Sequence, residues 1–290
     1  MNVRSKIIIG SAQFGLNYGV SNNTGKVPAS EAHKILKLAL SNEINRIDTA
    51  ISYGNAEEVI GSFNEVKKLS IITKIPKISS SDYHKEIKYR IEESINRLKS
   101  KSVYAIMLHD EDDIFNFPEV IKELIKLKEK GFIQKIGASF YTPEKFDTAM
   151  KNFDIDIAQV PLSIFDQSFI QKNTIETAQK KNVEVHCRSI FLQGLAFLKK
   201  DSIPTYFKPV MKRLNEFHSY ITKNNLSPTD LCYQFLKSLQ GIDGYVIGVQ
   251  NSEQLKSSLE AEKKSIFTNI DYSRFDLQKK EFQKPNLWTL

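Results

Sequence analysis

Only two cysteines, Cys187 and Cys232, occur in 290 residues, so no disulfide framework is possible and a reducing, cytoplasmic setting is expected. No apolar run approaches the roughly 18 residues of a membrane-spanning helix. Val103 to Leu108 is typical of the longest stretches, and the isoleucines before Gly10 are too few for a signal-peptide core. Charge of one sign is also scarce: 41 Lys and Arg face 34 Asp and Glu, a net +7. The excess sits in scattered pairs such as Lys67-Lys68 and Lys199-Lys200, with no basic stripe interleaved with aromatics. Neither nucleic acid nor membrane is therefore an expected partner, and an anionic small substrate or cofactor explains the charge more simply. Glycine-rich phosphate loops are missing too. Gly10-Ser11-Ala12-Gln13-Phe14-Gly15, after the first apolar run, does not match G-x-G-x-x-G, and there is no G-K-[ST].

What is present is a repeated alternation of short apolar runs with longer amphipathic stretches. Ile7-Ile8-Ile9 reads as a strand, and Ala32, Ile35, Leu36, Ala39 and Leu40 then mark one helix face. Strands are expected over 46–50, 70–74 and 103–108, with helices around 56–63, through Ile87, Ile91, Ile95 and Leu98, and from Pro118 to Gly131. Further strands fall over 133–139, 155–160, 183–188 and 245–248. Helices open at Thr142-Pro143, near 174–181, at Ser227-Pro228-Thr229-Asp230 and over 254–262. Eight strand–helix units without a Pro/Gly-rich linker indicate a single α/β domain over 1–290, a (β/α)8 TIM barrel. A long loop is expected over about 189–226 and a tail over about 264–290. A doubly wound sheet shares the alternation, but it usually needs fewer units.

In such a barrel, chemistry is carried at the C-terminal ends of the strands. Those ends supply Asp48, Lys74 and His109, with Tyr53 five residues past Asp48. Each has a bland reading as a helix cap, a packing residue or a solvated loop charge. Their coincidence on one rim favours chemistry. A tyrosine beside a lysine ammonium gives up its proton more readily, and a carboxylate holds the lysine in place. A nearby histidine can orient a carbonyl. The set suits protonation of an oxyanion that develops as hydride arrives, so a hydride-carrying cofactor is expected. His109 also opens His-Asp-Glu-Asp-Asp, which leaves a metal-dependent hydrolase as a minor alternative, though no metal is expected.

The segment Ile47-Asp48-Thr49-Ala50-Ile51-Ser52-Tyr53-Gly54-Asn55-Ala56-Glu57-Glu58-Val59-Ile60-Gly61 resembles the signature of the aldo-keto reductases, with Thr73-Lys74 and Leu108-His109 following in order. The resemblance implies Tyr53 as general acid, Lys74 and Asp48 tuning it, and His109 positioning the substrate. It implies cofactor contacts at Gly10, Ser11 and Ala12, at Ser139 in Gly137-Ala138-Ser139, and at Gln159. A further run, Arg188-Ser189-Ile190-Phe191-Leu192-Gln193-Gly194, would lie along the pyrophosphate, with Arg188, Ser189, Phe191, Leu192 and Gly194 as candidates. Gly248, Gln250, Asn251 and Gln254 would receive the adenosine end.

Departures from the family pattern fall at informative places. Phe140 stands where an asparagine is frequent, and Ser258 replaces another. Arg188 stands where an aromatic usually stacks on the nicotinamide; it could stack likewise, face an anionic group, or form a strand-end salt bridge. Gln250 and Asn251 replace basic residues that commonly hold the 2′-phosphate, so NADPH is the family expectation and NADH stays open. The small N-terminal hairpin of many members is absent or reduced.

Phe14, Tyr18, Tyr141 and Trp288, with Phe197, Tyr206 and Phe207, are candidate substrate walls, and the tail could fold over the rim. The opening Gly10 to Val20 resembles bacterial members associated with sugar and surface-polysaccharide metabolism. The expected activity is reduction of an aldehyde or ketone, with a sugar or nucleotide-sugar as one candidate. The alternative is a cofactor-binding regulatory subunit. Oligomeric state is not legible from the chain.

Overall fold

The computed structural model describes residues 5–20, 22, 24–79, 83–265, 270–285 and 288. Its centre is a closed barrel of parallel strands β1 (Ile7–Gly10), β2 (Arg46–Asp48), β3 (Ser70–Ile75), β4 (Val103–Leu108), β5 (Ile133–Ser139), β6 (Ile157–Pro161), β7 (Glu184–Arg188) and β8 (Gly244–Gly248). Each strand pairs with the next, and β8 closes on β1 with Gly10 opposite Gly248. The fold is the expected (β/α)8 barrel.

Alternation along each strand divides its side chains between two environments. On β3, Ile71 and Ile75 face the surrounding helices as part of the main core, whereas Ile72 joins Ala105, Met107 and Ile157 inside the barrel. Lys74 shares the parity of Ile72. That parity sends its ammonium into the upper barrel interior, where it is fully buried. Helices such as Ala29–Ser41, Glu119–Glu129 and Pro143–Asn152 close the outer layer through Ile35, Leu36, Leu124 and Phe146. Helix Pro228–Lys237 begins with a capping box in which Ser227 and Asp230 each accept the other's backbone N–H.

Several boundaries differ from the sequence expectation. β2 ends at Asp48 rather than residue 50, because Thr49 and Ile51 leave the ladder while still donating to the carbonyls of Ile72 and Lys74. The stretch 189–226 is not one long loop. It holds short 3-10 turns and the helix Met211–Lys223, whose buried Leu214, Phe217 and Ile221 form one face. Phe217 packs against Phe165 and Phe275, giving this helix a tertiary partner far along the chain.

The tail carries the 3-10 turn Tyr272–Phe275 and the short helix Lys280–Gln283. Leu277 N–H donates to the Phe165 carbonyl at 3.0 Å, fixing this segment beside the loop after β6. Asn286 and Leu287 lie outside the described residues; Trp288 packs edge-on against Phe207 at 4.9 Å. Among the described residues no strand precedes β1, and no helix is long and apolar enough to cross a membrane.

Candidate active site

Tyr53 lies on the loop between β2 and the helix Ala56–Gly61. Two features fix this loop. A Cβ on Gly15 would fall 1.7 Å from the Tyr53 carbonyl oxygen, so only glycine allows the first loop to pack there. Behind it, the buried carboxylate of Glu57 accepts hydrogen bonds from Thr73 (2.7 Å), Ser94 (2.5 Å) and the Arg97 guanidinium. The helix following Tyr53 is thereby tied to β3 and to the next helix, Tyr83–Arg97.

Lys74 Nζ donates to both Asp48 oxygens at 2.7 Å and to the Thr49 carbonyl at 3.0 Å. An ammonium has three N–H groups, so each is engaged. It stands 5.3 Å from the centre of the Tyr53 ring. His109, the residue after β4, meets Tyr53 edge-on at 5.7 Å, and its Nδ1 is 3.2 Å from Ser52 Oγ. Gln159 Nε2 donates to Asp48 Oδ1 at 2.8 Å, giving the carboxylate a further neighbour.

Burial dominates the electrostatics. Desolvation, with the Asp48 charge second, holds the Tyr53 phenol well above its ordinary pKa. The Lys74 ammonium is directed at Asp48 and Thr49, so it reaches Tyr53 through its charge. Burial lowers the Lys74 pKa against the opposing pull of Asp48. His109 is lowered to about 4, first by burial and then by the Lys74 charge, and is neutral at pH 7.

A cleft of about 520 Å³ opens over this group and runs to the start of helix Ser252–Lys263. That volume is in the ordinary range of small-molecule sites. The sequence profile of the aldo/keto reductase family matches residues 6–277. The chain belongs to the aldo/keto reductase family. It is 26% identical over 285 residues to D-arabinose 1-dehydrogenase of Saccharomyces cerevisiae, covering 88% of this chain and 82% of that protein. Among solved structures, an aldo-keto reductase from Bacillus halodurans in its holo form superposes with a TM-score of 0.73 at 19% identity, covering 93% of this chain and 91% of that one. A Pseudomonas aeruginosa protein described as an aldo-keto reductase gives 0.68 at 21% identity, covering 89% of each chain. These two likenesses concern the fold. Membership makes this reductase an NAD(P)H oxidoreductase acting on carbonyl compounds.

The reductase cleft gathers many of the residues singled out in the sequence. Asp48, Tyr53, His109 and Gln159 line it with Gly10, Ser11 and Ala12; Lys74 lies behind Asp48. Arg188, Ser189, Phe191 and Gly194 also line it, with Gly248 opposite Gly10 and with Gln250 and Gln254 about the start of helix Ser252–Lys263. Tyr18 and Tyr141 are on its wall.

Other candidates lie elsewhere. Phe14 is fully buried in the core, Leu192 turns into the core as well, and Trp288 lies against Phe207 away from the lining. Ser139 is buried and accepts from Arg188 Nε at 3.3 Å. Asn251 caps the last barrel helix by accepting from Gln254 N–H at 2.9 Å. Phe140, in the frequent asparagine position, stacks on Phe146 in the helix layer at 4.8 Å.

Gln13, Gln193, Thr229, Val249 and Ser257 also line the cleft and were not singled out. Ser257 was legible in principle, since Gln254, Ser257 and Ser258 share a helix face at i, i+3 and i+4. Among the described residues no cluster of His, Cys, Asp or Glu is arranged to hold a metal ion.

The cleft residues fit a nicotinamide dinucleotide. Ser11 Oγ and Gln13 Oε1 are buried on its wall without a hydrogen-bond partner among the described residues, which suits hydroxyl or amide groups of a ligand. Ser189 and Gly194 have φ of 59° and 95°, bending the backbone where it lines the cleft.

Proposed function

We propose that this reductase transfers hydride between NAD(P)H and a carbonyl carbon, with Tyr53 as the proton donor. The reading rests on the fully buried Lys74 ammonium, pinned by Asp48 beneath the Tyr53 ring with His109 alongside. When bound, the nicotinamide supplies the hydride. His109 enters as a neutral imidazole, and its Nε2–H donates to the substrate carbonyl oxygen while Nδ1 accepts from Ser52. Tyr53 is protonated at rest and gives its proton to that oxygen once it becomes more basic than a phenolate. The Lys74 charge then stabilises the phenolate, and Asp48 prevents the ammonium from shifting.

A sugar or nucleotide-sugar carbonyl is the substrate class we favour. Support comes from the yeast relative's name and from the tyrosines Tyr18 and Tyr141 on the cleft wall. Tyr53→Phe is expected to reduce carbonyl turnover by roughly 10²- to 10⁴-fold, the range of lost general-acid catalysis. Binding of NADH or NADPH, followed by nucleotide fluorescence, persists in the variant. Full turnover by the variant, or folded wild-type protein that binds neither nucleotide, overturns the proposal.

A further inference from the structure

The cleft carries one cation that the proposed chemistry does not use. Arg188, the last residue of β7, is half-buried on the cleft wall. Its guanidinium lies 4.3 Å from the centre of the Tyr141 ring, Nε donates to Ser139 Oγ at 3.3 Å, and Nη2 donates to the Phe140 carbonyl at 3.4 Å. All these partners are neutral, and among the described residues no carboxylate forms an ion pair with it. Asp48, the carboxylate on the cleft wall, is matched by Lys74. With His109 neutral, Arg188 and the Lys74 behind the wall stand against one carboxylate, and the site keeps a positive charge.

A half-buried cation without a counter-ion is unfavourable in the resting protein and rewards a ligand that provides one. Tyr141 and Ser139 fix the plane of the guanidinium, and five N–H groups leave donors beyond those already committed. Electrostatic influence of Arg188 extends to Tyr53, His109 and Tyr18, which places the charge beside the reacting group. With one guanidinium face on Tyr141 and its edge on strand β5, Arg188 is built as a fixed receptor.

We propose that Arg188 recognises an anionic group, phosphate or carboxylate, carried by the substrate itself. The preferred substrate is then a carbonyl compound bearing an acid, and among sugars a phosphorylated or nucleotide-linked one. This rests on the reductase reading above.

Two matched pairs test it: D-arabinose 5-phosphate with D-arabinose, and 4-oxobutanoate with its methyl ester. The probe is kcat/KM for each compound in wild-type protein, Arg188→Met and Arg188→Lys, together with NADH and NADPH affinity by fluorescence. In wild type at least one acid is expected to exceed its neutral partner by about tenfold or more. Arg188→Met should lower that ratio by about ten- to hundredfold, the range of one lost charge-assisted contact, and Arg188→Lys should restore part of it.

Equal turnover of both members of both pairs in wild type overturns the inference and leaves the reductase reading intact. An unchanged ratio in Arg188→Met, with nucleotide affinity lost instead, overturns it by assigning the cation to the cofactor diphosphate. Nucleotide binding with no turnover of any of the compounds overturns the reductase reading and the inference together.

Discussion

At the scale of single residues, the site is governed by how few hydrogen-bonding options burial leaves open. Lys74 spends its N–H groups on Asp48 and Thr49, so it acts on Tyr53 through charge at 5.3 Å from the ring. His109 gives a direct test of the burial. Its imidazole is expected to titrate with a midpoint near 4 instead of the usual 6.5, read by NMR across a pH series. The sign follows from linkage: between those values the unfolded chain binds more protons at this residue than the native one. Its contribution to stability is complete above about 6.5 and declines as pH falls toward 4, so Tm should drop more steeply in wild type than in His109→Asn. A midpoint near 6.5 would mean that the imidazole is solvated and that its neutral role in the proposed mechanism is wrong.

Elements set the far end of the cleft. Helix Ser252–Lys263 points its N-terminus toward the rim, the kind of place where a phosphate is attracted. Here Glu31, from the first turn of helix Ala29–Ser41, already accepts from Ser252 N–H at 2.9 Å and from its hydroxyl at 3.0 Å. The hydrogen bonds to Ser252 hold the Glu31 carboxyl below its ordinary pKa, so it is charged at pH 7. A fixed carboxylate at that helix start opposes a second anion. Glu31→Gln is expected to shift the NADPH-to-NADH affinity ratio toward NADPH by roughly five- to tenfold in fluorescence titrations, the scale of a close like-charge contact. An unchanged ratio would place the 2′-phosphate subsite beyond the influence of Glu31.

For the molecule as a whole, the two ends of the barrel use charge in different ways. The upper end keeps a positive balance beside Tyr53. At the lower end Glu184 draws together residues of β2, β4, β5 and β7: Arg46 at 3.0 Å, Tyr104 at 2.6 Å, His186 at 2.6 Å, and Lys135. This ionic hub joins four strands at the lower end of the barrel. Burial opposes ionisation of Glu184, but bonds from His186, Lys135 and Tyr104 outweigh it and hold its carboxyl well below the usual range. The resulting stability is present above the ordinary carboxylate pKa and is lost as pH falls through the depressed one. Glu184→Gln leaves Lys135 and Arg46 without their counter-ion, and a loss of about 3 kcal/mol in denaturant unfolding is expected. A loss below about 1 kcal/mol would mean that the hub is dispensable.

The alternation of runs such as Ile7-Ile8-Ile9 with faces such as Ala32, Ile35, Leu36 and Ala39 made the barrel readable, because a strand or helix period is written in neighbouring residues. The signature through Tyr53 was readable as a contiguous run, and Lys74 and His109 joined it because strand ends converge on one rim once the barrel closes. Loop side chains carry no such period. Phe14 and Tyr18 are four residues apart, yet one is enclosed in the core and the other stands at the cleft mouth. The helix Met211–Lys223 depends on Phe165 and Phe275, which lie far away in the chain. Glu184 and Arg188 are both charged ends of β7, but their neighbours come from other strands and loops. Whether such a charge is matched is a long-range packing result, and only the closed barrel decides it.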